Sequence, residues 1–235
     1  MDQHDTLMRW PLSLAARAGV WMSVMASGSA RWSPELSPSG GRSISSSTTP
    51  AIGIAGEIHE LTDAHWNRML DVNLRGVVNG VMAAYPLMVR QRSGHIVNVA
   101  SLGGLGPTAF AVPYTASKHA VVGLSTSLRC EAADYGVRVS VLCPSAIETP
   151  LLDRGNPVDL PAVWRPNMRR FFTPLLGDPY PPERFARASL DAVAANTAVI
   201  VIPGRACIAW RIGQLAPGMA APRLRSPTFG RITSR

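Results

Sequence analysis

The sequence predicts an α/β fold built on a parallel sheet, and three observations predict it. Two short runs, residues 96–100 and 137–142, are mostly apolar and β-branched, as strands buried on both faces are. Between them lies a helical stretch from residue 114 to about 135, closed by Gly136. The first run ends at Ser101, on the carboxyl side, where doubly wound sheets place their ligands.

Composition narrows the class. At 235 residues the chain can bury a full core, and one domain is the natural expectation. Cys130, Cys143 and Cys207 form no Cys-x-x-Cys and no even framework, which points to reduced thiols and a cytoplasmic protein. No apolar run reaches the ~18 residues of a membrane span. The formal charge is +8, but residues 205–235 carry six arginines and no acid. That is a basic tail rather than a basic domain, and it argues against nucleic acid as a partner. A salt-steep, sequence-blind interaction of that tail with nucleic acid is the minor alternative. The five histidines show no ligand spacing, so no metal is expected.

Residues 1–51 hold Trp10, Trp21 and Trp32 among scattered Ser, Pro and Gly, with no sustained period. A secretory leader is one reading, with Arg9 before an apolar middle that Arg17 interrupts; a disordered arm is another. From Ile52 the pattern is regular. Thr62-Asp63 caps a helix bearing Trp66, Met69, Leu70 and Leu74, and the helical pattern runs on through residues 77–89 with an irregularity near Asn73. Residues 103–107 form a loop after Ser101. Residues 151–182 are rich in proline, arginine and aromatics; Trp164, Phe171 and Phe172 there either line an apolar pocket or dock the segment on the core. A helix over 182–196, a last strand over 198–203 and an amphipathic helix over 205–215 bearing Trp210 complete the order. Residues 221–235 are the basic tail.

The chemistry concentrates in Tyr114-Thr-Ala-Ser-Lys118. Residues four apart share a helix face, so Lys118 lies one turn from Tyr114. A phenol titrates near ~10, and a nearby ammonium lowers that value until the group can exchange a proton near neutrality. The chain has 22 arginines and a single lysine, which is Lys118. A compact ammonium on a flexible stem is what arginine's planar fork cannot replace. A helix-surface pair without chemistry is the competing reading.

The neighbours decide between the two. His95-Ile-Val-Asn-Val-Ala-Ser101-Leu-Gly-Gly followed by Tyr114-x-x-x-Lys118, with Asp71-Val-Asn73-Leu-Arg-Gly76 upstream and Cys143-Pro144-Ser145-Ala146-Ile147-Glu148-Thr149 downstream, resembles the short-chain dehydrogenase/reductase family from about residue 52 to about 220. The resemblance implies a Rossmann-type doubly wound parallel sheet and hydride transfer between NAD or NADP and a small-molecule alcohol or ketone. It implies a catalytic set of Asn73, Ser101, Tyr114 and Lys118. In that set Tyr114 exchanges the proton, Lys118 lowers its pKa and bonds the ribose, Ser101 polarises the substrate oxygen, and the Asn73 backbone holds a relay water. It implies a cofactor set of Tyr114, Lys118, Pro144, Ser145, Ile147 and Thr149, the last two gripping the nicotinamide carboxamide. Most relatives have glycine where Ser145 stands. Residues 151–182 take the place of the family's substrate lid, and pairing through the helices near 72–90 and 114–135 implies a homodimer or homotetramer.

The family's first strand and Gly-rich pyrophosphate turn are absent ahead of Ile52, so the predicted sheet is N-terminally incomplete. The genetic code offers a reason. Read in the shifted frame, residues 43–51 permit Ile-Asp-Leu-Leu-Val-Asn-Asn-Ala-Gly, the strand and turn the family carries just before a segment like 52–57, as nine consecutive allowed matches. Residues 1 to about 51 then read as an out-of-frame stretch. The contrasting expectation is an inactive remnant that only associates through its long helices.

Overall fold

The computed structural model describes residues 44–47 and 51–215. The expectations for the earlier N-terminal residues and for the basic tail lie outside the described residues. Four strands, β1 (Ile44–Ser47), β2 (Gly94–Val99), β3 (Val137–Pro144) and β4 (Val199–Ile202), form one parallel sheet in the order β1-β2-β3-β4. Each strand pairs with the next in sequence, as short crossover units do.

The central strands are apolar on both faces because both faces are covered. Ile96 and Val139 pack with Val81, Ala84 and Met88, whereas Val97 and Leu142 pack with Val193, Ile200 and Ile202. Successive residues of a strand point to opposite sides, so this division follows from the period of two. The first face is covered by α2 (Gly76–Gln91) and α3 (Val112–Ala132), the second by α5 (Pro182–Ala194). This is the α/β, doubly covered sheet the sequence predicts.

Upstream, α1 (Asp63–Leu70) starts at Thr62. The Thr62 N–H donates to His65 Nδ1 at 3.1 Å, and His65 Nε2 lies 3.0 Å from the Pro161 carbonyl. A backbone N–H only donates and a carbonyl only accepts, so His65 is the tautomer protonated on Nε2. The irregularity expected near Asn73 is a π-helical segment, Asp71–Arg75, joining α1 to α2; such bulges widen a helix by one residue per turn and cluster at functional sites.

The long helix α3 ends in a 3-10 turn and then Gly136 at φ 69°. A Cβ there would sit 2.7 Å from the Arg92 carbonyl oxygen, so both conformation and space require glycine. Between β3 and α5 lie a short turn (Pro150–Leu152), irregular chain and α4 (Met168–Leu176). The last helix, α6 (Gly204–Leu215), follows β4. Among the described residues no helix is long and apolar enough to cross a membrane, and no group of three or more His, Cys, Asp or Glu is placed to hold a metal ion.

Candidate active site

The residues singled out by sequence converge at the carboxyl ends of β2 and β3. Ser101 leaves β2 in extended conformation and caps the turn Leu102–Gly104, its Oγ accepting from the Gly103 N–H at 3.1 Å. The same side chain lies beside the Tyr114 phenol and favours its ionised form. Gly104 lets this turn touch α3: a Cβ would stand 2.6 Å from the Lys118 carbonyl oxygen. Tyr114 sits in the first turn of α3, half-buried, with Pro113 before it at a position where a missing N–H costs nothing.

Lys118 is one turn further on and only 2% exposed. Its Nζ lies 5.8 Å from the centre of the Tyr114 ring and donates to the Val99 carbonyl at 3.1 Å. Burial pushes its pKa down to about 8. Here the structure corrects the expectation that Lys118 holds the phenol low. Burial pushes the Tyr114 phenol above its ordinary value, and the opposing pull comes from the Ser101 side chain. The physical reason is that desolvation disfavours the phenolate, while the ammonium is engaged by a backbone carbonyl and stacked beside the ring. Tyr114 is therefore a neutral phenol at neutral pH, with a proton to give.

Asn73 is buried and makes a fan of contacts from the π-helical segment. Its Oδ1 accepts the Ile52 N–H at 3.0 Å, and its Nδ2 donates to the Ile52 carbonyl at 3.0 Å. Nδ2 also lies 2.8 Å from Met69 Sδ and 3.4 Å from Ser117 Oγ. Ser117 in turn donates to the Tyr114 carbonyl at 2.7 Å. So Asn73, Ser117 and Tyr114 form one bonded path from residue 52 to the phenol-bearing turn. Ser117 was not among the sequence candidates; its place inside Tyr-x-x-Ser-Lys was the available signal.

Cys143 ends the apolar part of β3 beneath these groups, fully buried. Burial pushes its thiol up to about 12, against a hydrogen bond from the Ser101 N–H and the nearby Lys118 charge. It is a neutral packing residue. Pro144 continues β3 and pairs with Ile202, and the Ser145 N–H donates to the Ile202 carbonyl at 2.9 Å. Ser145 does not adopt a positive φ, so serine stands where relatives carry glycine without backbone strain. Ile147 forms a parallel bridge with Tyr180, carried by Tyr180 N–H to the Ala146 carbonyl (2.8 Å) and Glu148 N–H to the Tyr180 carbonyl (3.0 Å). In such a bridge the central residue's own N–H and C=O face the opposite way. Thr149 precedes the Pro150 turn and lines an open depression with Glu148, Pro150, Asp153 and Arg154. The structure thus sets Asn73, Ser101, Tyr114 and Lys118 in one bonded or touching group, and Pro144, Ser145, Ile147 and Thr149 on the loop that follows β3.

The segment between β3 and α5 closes over residues 52–56. Phe110 stacks edge-on against Trp164 (5.7 Å between ring centres) and Phe171 (6.0 Å), and Phe171 against Phe172 (5.3 Å). Phe171 is 1% exposed, which decides between the two sequence readings: it docks the segment on the core. Phe110 does this from φ 60°, a region costly for a residue with a Cβ, and its carbonyl accepts the Gly56 N–H at 2.8 Å. Arg169 on α4 reaches back to the loop after β3, donating to both Glu148 oxygens (2.7 and 2.6 Å) and both Asp153 oxygens (2.8 and 2.6 Å). Its charge holds both carboxyls below their usual range. Neither Phe110 nor Arg169 carries a sequence signal, because their partners are distant in the chain.

Comparison with known proteins agrees with this geometry. Residues 49–158 match the family model described as short chain dehydrogenase. An uncharacterized oxidoreductase of Staphylococcus epidermidis is 34% identical over 100 residues, 43% of this chain and 44% of that protein. Another, from Staphylococcus saprophyticus, is 42% identical over 86 residues, 37% of each chain. The chain spans less than half the length of these relatives. Among solved structures, a short chain dehydrogenase/reductase from Burkholderia phymatum in complex with NAD is 26% identical, with a TM-score of 0.64 over 75% of this chain and 66% of that one. A short-chain dehydrogenase from Sphingobium yanoikuyae in complex with NADPH is 22% identical, with a TM-score of 0.58 over 76% and 64%, and shares the fold. The observed β1-to-β4 order, the Ser101–Tyr114–Lys118 group and the segment matched over residues 49–158 all resemble the short-chain dehydrogenase/reductase family.

Proposed function

We propose that the chain is an NAD(P)-dependent oxidoreductase that interconverts a secondary alcohol and a carbonyl in a small-molecule substrate. The observation that carries this reading is the placement of the Ser101 side chain beside a neutral Tyr114 phenol, with the only lysine of the chain buried one turn away. Two neighbouring hydroxyls can both reach a carbonyl oxygen set between them. In the reducing direction Ser101 polarises that oxygen and Tyr114 gives it a proton; in the other direction the roles reverse. Lys118 stays protonated below about pH 8 and offers its charge to the phenolate left behind.

The residues after β3 fit the nicotinamide end of a dinucleotide. The Ile147 N–H and C=O are turned away from its bridge to Tyr180, and Thr149 carries a hydroxyl two residues on. A carboxamide needs such a donor and acceptor side by side. When bound, the nicotinamide supplies or takes the hydride. The solved relatives described above hold NAD in one case and NADPH in another, so either cofactor is compatible. Residues 151–182 are read as the substrate lid, and the helical face of α2 and α3 as a surface for pairing into a dimer or tetramer.

A second reading, an associating remnant without catalysis, is favoured by the lack of a Gly-rich turn ahead of Ile52 and by the out-of-frame interpretation of residues 1 to about 51. Titrating the chain with NADH and NADPH, followed by nicotinamide fluorescence, separates the two. Saturable binding and ketone-dependent oxidation of the bound cofactor support the enzyme. No saturation with either cofactor leaves the remnant, and an independent DNA read across codons 1–55 then checks the frame.

A further inference from the structure

Residues 52–56 follow the first strand without being a strand, and their second half is buried: Ile54 is 0% and Ala55 3% exposed. Buried backbone groups must find partners, and a ladder is not there to supply them. Two side-chain amides supply them instead. One is Asn73 at Ile52, described above. The other is Asn156, whose Oδ1 accepts the Ala55 N–H at 3.0 Å and whose Nδ2 donates to the Ala55 carbonyl at 2.8 Å. This copies one rung of a β ladder, between residues 101 positions apart. Beside it Ala55 packs on Met168 and Phe171 of α4. Other polar contacts of residues 150–181 with the frame go elsewhere: Asp159 to Arg68, the Pro161 carbonyl to His65, Tyr180 to Ala146 and Glu148, the Asp178 carbonyl to Arg205, and Arg169 to Glu148. Asn156 alone among these reaches the buried strip that Asn73 ties to Tyr114.

We propose that Asn156 is a positioning residue: by closing both backbone groups of Ala55 it fixes residues 150–181 against the strip beside the candidate site and so sets how a carbonyl substrate is presented to Ser101 and Tyr114. It touches neither reacting atoms nor cofactor. The inference deepens the oxidoreductase reading and rests on it for its kinetic part, while its structural part stands on amide exchange alone.

The test follows single amides by NMR in the full chain, then kinetics. In the unmodified protein the Ala55 amide exchanges slowly, as the β3 amides do. In Asn156→Ala the Ala55 amide speeds up about tenfold or more, as loss of its hydrogen-bond acceptor requires, with β3 and the Gly56 amide held by Phe110 unchanged. Asn156→Asp keeps the acceptor and loses the donor, and falls between. With NADPH and a ketone, KM rises in the same order while kcat and cofactor affinity hold. Loop-like exchange at Ala55 in the unmodified chain overturns the proposal, and so does exchange indifferent to the Asn156→Ala change. A fall in kcat and cofactor affinity matching the rise in KM also overturns it. Should Asn156→Ala fail to fold, Asn156→Asp and the unmodified chain decide. Should the unmodified chain turn over no ketone, that failure belongs to the enzyme reading, and the exchange result still decides the role of Asn156.

Discussion

The reactive frame and the segment that covers it are held by different physics. Ser101, Tyr114 and Lys118 stand on β2 and α3, braced by apolar residues such as Val121, Val141 and Cys143 that are wholly buried. Residues 150–181 carry one helix of nine residues and are fastened by discrete polar clamps at Arg68, His65, Ala55 and Glu148. Burial sets the protonation of the first region; exchangeable hydrogen bonds and charges set the position of the second. Damage to the frame should therefore abolish chemistry or fold, whereas damage to the cover should change what binds and how tightly.

The sharpest test of that division is Tyr114→Phe. Loss of a positioned proton donor lowers turnover by about 10²–10⁴ and leaves cofactor affinity in place, as steady-state rates beside a fluorescence titration would report. A loss below tenfold would move the proton donor elsewhere.

Next in size is Asn73→Ala. It strands the half-buried Ile52 N–H and carbonyl and costs about 1–3 kcal/mol, read as a fall in the urea midpoint at constant slope. A shift as small as that of a surface change would show that the strip at residue 52 is not part of the frame.

Lys118→Met gives a smaller, pH-dependent effect. Lys118 titrates at about 8 when folded and near ~10.4 when unfolded, so between those values the unfolded chain binds more protons. Stability due to this group is then lowest below pH 8 and rises with pH through the window. Without cofactor, the melting midpoint of the unmodified chain gains on that of the variant from pH 8 to 10. A gap that stays flat would mean the amine is not desolvated.

The mildest change expected is Arg169→Ala, on the cover. Arg169 and its partners are solvent-facing, so the ketone KM rises only a few-fold and kcat is kept. Glu148 and Asp153 have carboxyls held below the usual range. Their pairing with Arg169 is present at neutral pH and is lost as the pH falls through those lowered values, and the difference between the two proteins vanishes with it. If kcat fell as far as in Tyr114→Phe, the comparison between the two regions would collapse.

The same division explains what the sequence made legible. Strand runs 96–100 and 137–142, the Tyr114 helix and its Gly136 stop are local patterns, and each lies where periodicity and turn chemistry put it. The irregularity near Asn73 was visible too, as a π-helical segment, although not the carboxamide's grip on Ile52. The phenol's protonation was misjudged because neighbour spacing reveals a charge but not the desolvation that outweighs it. Asn156, Arg169 and Phe110 were invisible for another reason. Their partners are tens of residues away and set by how an irregular segment folds back, which no periodicity encodes.

The solitary lysine has a practical consequence. Because Lys118 is the chain's only residue of its kind, protein grown on isotope-enriched lysine carries a label at one side chain, within 6 Å of the Tyr114 ring centre at 5.8 Å. Every resonance from that label reports on the surroundings of the Tyr114 ring, with no assignment problem. Its chemical shift during an acid–base titration or a dinucleotide addition becomes a spectroscopic window on the centre of the molecule.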